Sequence, residues 1–198
     1  MAAKTCADLG VYGSLKHCAG QTVASGMRNR VYFIKKSDIV KFPVMGTLAG
    51  ESPEDAAKYT GDFTLAETKK WQYIDLVIDK GTVESTPEGE APNALFVNKL
   101  NVQHPTRDAY ATAFARRALN DDLVYLFVER DGKARMIGNE AFNVVTKPSQ
   151  KLGAKPTDES GTYLEITCYD VCPAPFYPGK IETEDGDISG ENSGPAAA

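Results

Sequence analysis

Histidine is nearly missing from this chain: 198 residues contain two, His17 and His104, beside a single tryptophan. The patterns that usually carry chemistry are missing too. There is no GxGxxG, P-loop, nucleophile elbow or HExxH, so dinucleotide, nucleotide-phosphate, serine-hydrolase and zinc-protease sites of ordinary type are not expected. No run of about 18 apolar residues occurs, which argues against a membrane-spanning helix. Met1 to Gly20 has no basic start followed by an apolar stretch, so no secretory signal is expected. No internal repeat is visible.

Basic residues are absent from the end of the chain. Ile181 to Ala198 holds five acids (Glu182, Glu184, Asp185, Asp187, Glu191) and no lysine or arginine. Removing them from the total of 27 acids leaves 22 against 22 bases, so residues 1–180 are formally neutral and the net charge of −5 sits in the tail. A neutral body argues against nonspecific nucleic-acid binding, which needs clustered positive charge. With Gly186, Gly190, Gly194 and a final Pro-Ala-Ala-Ala, residues 181–198 are expected to be disordered in the free chain. Such a tail either stays solvated or orders against a neighbouring subunit.

The four cysteines, Cys6, Cys18, Cys168 and Cys172, fall in two distant pairs. Disulfides would need an oxidising compartment. Cys168 and Cys172 lie slightly outside common zinc spacing, and Cys6 and Cys18 are too far apart for a ligand knuckle. Buried, inert thiols are the expectation; one metal held by all four is the weaker alternative. His17 beside Cys18 could form a nucleophile pair, but neighbours in an extended segment point to opposite sides and no third orienting group is evident. His104 precedes Pro105 and reads as a loop or capping residue. Asp121-Asp122 could meet a cation but reads as a turn after a helix. Asp75 and Asp79 would share one strand face as a solvated edge. No catalytic residue, metal or other cofactor is assigned, and an enzyme is not expected.

What the chain does contain is β-structure around one helix. Thr106 is a good N-cap, Asp108 suits the first turn, and Arg116 and Arg117 suit the last. Tyr110, Ala113, Phe114 and Ala118 form an apolar stripe of helical period. The helix is therefore expected at about 106–120, with Tyr110 and Phe114 buried and the two arginines solvated. Leu123 to Glu129 runs almost continuously apolar, as a strand covered on both faces does. Asp131-Gly132 signals a two-residue type I′ hairpin returning through Ala134 to Gly138. Strands are also expected at Arg30–Lys35, at 63–67, at 70–79, from Asn93 to Val102 and from Thr162 to Asp170. Residues 45–61 read as a loop with a short helix at Pro53–Lys58, and 81–92 and 147–160 as Pro/Gly-rich loops. The order implies an α+β chain, mainly antiparallel β: a β-sandwich or partly closed β-barrel with one flanking helix. Residues 1–25 read as an extended N-terminal arm, 26–180 as a single β-rich domain and 181–198 as the acidic tail.

Several of these segments together resemble virion structural proteins of tailed phages and prophages of Bacteroides-like bacteria, most closely the tail tube type. The likeness runs through Cys6 and Cys18 ahead of Met27-Arg-Asn-Arg-Val-Tyr-Phe-Ile34, then Phe63 and Trp71-Gln-Tyr-Ile74. It continues through Leu119-Asn-Asp-Asp122, Asp131-Gly132, Ile137-Gly138 and Gly161-Thr-Tyr-Leu-Glu-Ile-Thr167, to Ala174-Pro-Phe-Tyr-Pro-Gly179. It implies a subunit that partners itself in stacked, commonly hexameric rings forming a hollow conduit, with other virion proteins as neighbours and genomic DNA as passing cargo. It places the protein in the virion, and in the bacterial host cytoplasm during assembly. An acidic lining would suit DNA passage by avoiding adhesion. The long hairpin that builds the inner wall in that family is not evident. Another phage component (a head–tail connector, decoration or tail-tip protein) and a non-viral soluble binding module are the alternatives.

Overall fold

The computed structural model describes residues 12–17, 19–20, 24–48 and 52–191. In chain order the strands are β1 Met27–Lys35, β2 Ile39–Lys41, β3 Val44–Met45, β4 Tyr59–Thr60, β5 Thr64–Leu65, β6 Gln72–Asp75 and β7 Thr82–Glu88. After β8 Leu95–His104 comes the helix α1, Ala109–Ala118, and then β9 Leu123–Glu129 and β10 Ala134–Ile137. β11 Val145–Lys151, β12 Gly161–Asp170, β13 Lys180–Thr183 and β14 Gly186–Ser189 complete the order. Two four-stranded antiparallel sheets carry the fold, ordered β10-β9-β1-β6 and β11-β12-β8-β7. Neither closes on itself, so the arrangement is a sandwich and not a barrel.

The apolar run of β9 explains the layering. Residues Leu123 to Val128 are all buried, and because side chains alternate across a strand, both faces of the first sheet must be covered. One face meets the second sheet: Val31, Tyr125 and Phe127 pack with Leu100, Val102 and Ile166. The other face, with Tyr32, Leu126 and Met136, is covered by Phe63, Trp71, Tyr177 and Ile181 from irregular segments and β13. The result is three layers around two cores.

The helix is shorter and turned relative to its expected setting. It is capped by Asp108, whose Oδ1 accepts from the Ala111 amide at 2.8 Å, and not by Thr106. Ala111 and Ala118 are buried, with Phe114 packed edge-on against Phe33 at 5.0 Å. Tyr110 is instead 85% exposed. The stripe 111, 114, 118 has the same period as the expected one, and small alanines let the helix approach the sheet while the Tyr110 hydroxyl stays in water. The hairpin turn differs as well. Gly132 alone has positive φ, at 100°, with its amide bonded to the Glu129 carbonyl and the Glu129 amide to the Lys133 carbonyl. This is a three-residue loop with a glycine bulge, not a type I′ turn.

Strands enter two expected loops: most of 81–92 is strand, whereas 147–160 is strand only to Lys151 and a loop from 152 to 160. Within 81–92, β7 pairs with β8 from Thr82↔Asn101 to Glu88↔Leu95; β11 starts ahead of 147–160 and pairs with β12 from Val145↔Thr167 to Lys151↔Gly161. Pro87 and Pro148 argued for loops, but an edge strand tolerates proline where its missing N–H would face outward. The acidic tail departs from expectation too. Its residues 181–191 belong to the fold: β13 and β14 form a hairpin, and Ile181 is wholly buried. Gly190 lies so close to Tyr177 that a Cβ there would sit 2.0 Å from the Tyr177 carbonyl oxygen. Composition concealed this because two isoleucines, the buried Ile181 and its cross-strand partner Ile188, anchor a charged ribbon whose lysine, Lys180, pairs with Glu182 and Asp187 at 2.9 and 2.8 Å. Residues 192–198 lie outside the described residues. Of the N-terminal arm, residues 12–17 are exposed and without regular structure.

Phe114→Ala should cost about 2–4 kcal/mol, near the lower end for buried aromatics because the ring is only partly buried. Tyr110→Ala should stay within about 0.5 kcal/mol, as at ordinary surface positions. Chemical denaturation of both under dilute conditions gives the comparison; equal losses would place the wrong face of the helix on the sheet.

Candidate functional site

The structure uses most of the sequence-nominated polar residues as fasteners. His104 ends β8, and its ring bridges the Asp75 carbonyl (2.7 Å) and the Thr106 hydroxyl (2.9 Å), tying β6 to the helix entry. Asp121 pairs with Lys35 at 2.8 Å, while Asp122 accepts from the Val144 amide at 3.1 Å. Asp75 and Asp79 do not share a strand face: β6 ends at Asp75, and Asp79 has φ 59°. Asp75 pairs with Arg30 at 2.7 Å, and Asp79 pairs with Arg130. Arg116 and Arg117 are exposed at the helix end. His17 is exposed. Its neighbour Cys18, like Cys6, lies outside the described residues. Cys168 and Cys172 are free thiols and buried. Burial, and then the nearby Asp170 carboxylate, push Cys168 up to about 12 and Cys172 up to about 11, so both are held as thiols at neutral pH. No group of three or more His, Cys, Asp or Glu among the described residues could hold a metal ion.

A buried polar knot that sequence reading did not find lies where β12 leaves its sheet. Asn98 is fully buried on β8; its Oδ1 accepts from the Ala174 amide (2.9 Å) and the Ser85 hydroxyl (2.6 Å), and its Nδ2 donates to the Cys172 carbonyl (3.1 Å). Asp170, 2% exposed, accepts from Asn139 Nδ2 at 2.9 Å and from the Val171 amide at 2.7 Å. Arg135 stacks on Phe176 at 4.0 Å and donates to the Ala174 carbonyl at 3.1 Å. Together these side chains fix the proline-rich run after β12. The only sequence signal was an asparagine in the middle of an apolar strand, which reads equally as an outward-facing residue. A shallow concavity of about 270 Å³ lies beside Met27, Leu76 and Gly81. Its one carboxylate, Asp79, is already paired with Arg130.

The sheet edges are treated unequally. β10 is covered: Met136 donates to the Pro175 carbonyl (3.0 Å), Tyr177 to Ala134 (2.9 Å) and Ala134 to Gly190 (2.7 Å). β7 and β11, at the two edges of the second sheet, each run seven residues. They pair on one side only, with β8 and β12. No backbone hydrogen bond between described residues reaches the outer side of either strand. No family model, curated protein or solved structure matches this chain.

Burial raises the Asp170 carboxyl above its ordinary value near 3.8, and hydrogen bonds from Asn139 and from the Val171 and Cys172 amides oppose that rise only in part. The folded state therefore holds this proton more tightly than the unfolded chain. Its contribution to stability is full below about pH 3.8 and is lost as pH rises through the raised folded value. Asp170→Asn, neutral throughout, should lower stability overall by about 1–3 kcal/mol by removing an acceptor. It should also remove this falling component from a plot of Tm against pH. An unchanged pH slope in the variant would show that Asp170 does not titrate in this way.

Proposed function

We propose that this protein is a structural subunit that self-associates in rings, as a tail-tube type virion component whose stacked rings give a conduit for DNA. The observation that carries the reading is the pair of seven-residue edge strands on the second sheet whose outer backbone groups bond no other described segment. Open edges are templates for pairing with another chain, and Pro87 and Pro148 bar it only at their own positions. Here the C-terminal run hydrogen-bonds the β10 edge of the first sheet, whereas no backbone bond from another described segment reaches the outer side of β7 or β11. Exposed apolar side chains add to this. Val40, Val44 and Leu48 are each about two-thirds exposed along one extended stretch, and Tyr12 and Leu15 are fully exposed in the arm. In the free subunit these side chains lie in water, which burial against a neighbour would relieve. The sandwich with one flanking helix is also the architecture that the resemblance implies.

The full chain, purified and concentrated, should sediment as a concentration-dependent assembly and show regular rings or short tubes in negative stain. A species that remains monomeric at every concentration would defeat the structural-subunit reading in favour of a soluble binding module. Large but irregular assemblies would point to a different virion component.

A further inference from the structure

Three of the described arginines are left without a partner, and all three belong to one helix and its entry. Arg30, Arg130 and Arg135 each pair with a carboxylate. Arg107, Arg116 and Arg117, ahead of α1 and in its last turn, are exposed and bond no described residue. We propose that this face of α1 docks on the acidic β13–β14 ribbon of a second copy. The inference rests on the self-association reading above and names its two contact surfaces.

The helix face comes first. Ala111 and Ala118 turn toward the core, so the helical period sets Ala109, Ala113 and Arg116 along the opposite side. Both of those alanines are exposed, and their short side chains allow a close approach. Tyr110 and Arg117, seven residues apart, border that row; Tyr110 is 85% exposed and Leu119, just beyond the helix, 57%. The helix dipole favours Arg116 and Arg117 in the last turn, but it disfavours a cation at Arg107, beside the N-cap. Arg107 therefore gains nothing from its own helix, and no described carboxylate pairs with it. Tyrosine and arginine are also the residue types that contact surfaces favour.

The ribbon offers the opposite charge. It carries Glu182, Glu184, Asp185, Asp187 and Glu191 against one lysine, Lys180. Lys180 is divided between Glu182 and Asp187, and Arg30 between Asp75 and Asp185. Glu184 and Glu191 are exposed and form no ion pair with a described residue. The acidic side of the ribbon is thus under-compensated within the subunit, as the arginines of the helix are.

The two surfaces lie in different layers. Phe114 and Ala118 of the helix pack on the core between the sheets, whereas Ile181 and Ile188 of the ribbon pack on the core beyond the first sheet. A helix meeting its own kind would set arginine against arginine, and two ribbons would set carboxylate against carboxylate. Charge therefore selects a contact between unlike surfaces, which propagates and closes into a ring if the rotation permits. Exposed ion pairs add little affinity; they steer orientation and partner choice. Apolar area supplies the rest, with Tyr110 and Leu119 on one side and the exposed Val40 and Val44 in the layer of the ribbon on the other. A phosphate backbone would match the arginines as well, but it would leave the excess charge of the ribbon unanswered. A second copy answers both.

A charge exchange on the full chain tests the contact. Arg116→Glu with Arg117→Glu, and separately Glu184→Lys with Glu191→Lys, should each abolish association, with thermal transitions of the dilute subunits near that of the wild type. Mixing the two variants should restore it, because each acidified helix then meets a basic ribbon and the unaltered surfaces meet as before. Lys80→Glu with Lys99→Glu, which reaches the same net charge as the helix variant away from both surfaces, should associate like the wild type. Raising salt from about 0.1 M to about 1 M shortens the screening length from about 10 Å to about 3 Å, and should weaken wild-type association. Absence of rescue on mixing, or equal loss in the control, would overturn the inference. So would a duplex oligonucleotide that binds the wild-type subunit but not the helix variant while association of that variant is unchanged. Assemblies that form equally in all variants would refute this contact and leave self-association intact; a wild-type chain that never associates would remove both.

Discussion

Burial of the first sheet on both faces is the constraint on which the rest of this structure depends. β9 contributes six consecutive buried residues, Leu123 to Val128, and a strand of that kind cannot lie at a solvent face without exposing half of its apolar side chains. The second sheet covers one side. The other is covered by short strands and irregular segments: Phe63 and Trp71 ahead of β6, Tyr177 after β12, and Ile181 of β13. Phe63 is the centre of that layer, within 5.0–5.6 Å of the rings of Phe42, Trp71 and Tyr177. The Tyr177 hydroxyl donates to the Lys180 carbonyl at 2.8 Å, so its polar end is satisfied as its ring is buried.

Covering a sheet with irregular chain raises a polar problem, since that chain brings unpaired backbone groups into a buried layer. The knot around Asn98 and Asp170 answers it. Asn98 satisfies the backbone of Cys172 and Ala174, Asp170 takes the Val171 amide, and Arg135 takes the Ala174 carbonyl while pairing with Glu129 at 2.7 Å. These groups are costly to bury alone, and together they hold the segment in one path. The two thiols beside them sit in the same low-dielectric region, which is why they are suppressed as nucleophiles rather than activated. Residue types that could suggest chemistry in the sequence thus act as structural ties.

The edges show the opposite policy. Pro87 and Pro148 each remove one outward donor, the usual way of discouraging indiscriminate strand pairing. Yet β7 and β11 stay long and regular, with glutamates on one and lysines on the other.

The sequence by itself determined what is local. The continuous apolar run of β9, the alternation of β12, the Asp-Gly hairpin and the presence of one amphipathic helix were all legible, because burial on two faces, period 2 and period 3.6 leave distinct marks. The mainly antiparallel α+β class followed from their order. Only the tertiary structure decided which helix face docks, since the 110/113/114/118 and 111/114/118 stripes have equal period and differ in what the sheet presents to them. It alone decided that β7 and β11 are strands, because proline disqualifies a central strand but not an edge, and edge status is a property of the assembled sheet. It alone made Asn98 a buried knot and Ile181 the anchor of an acidic ribbon. In each case the residue's state is set by a partner distant in sequence, 76 residues away for Asn98 and Ala174, and no local pattern encodes such a contact.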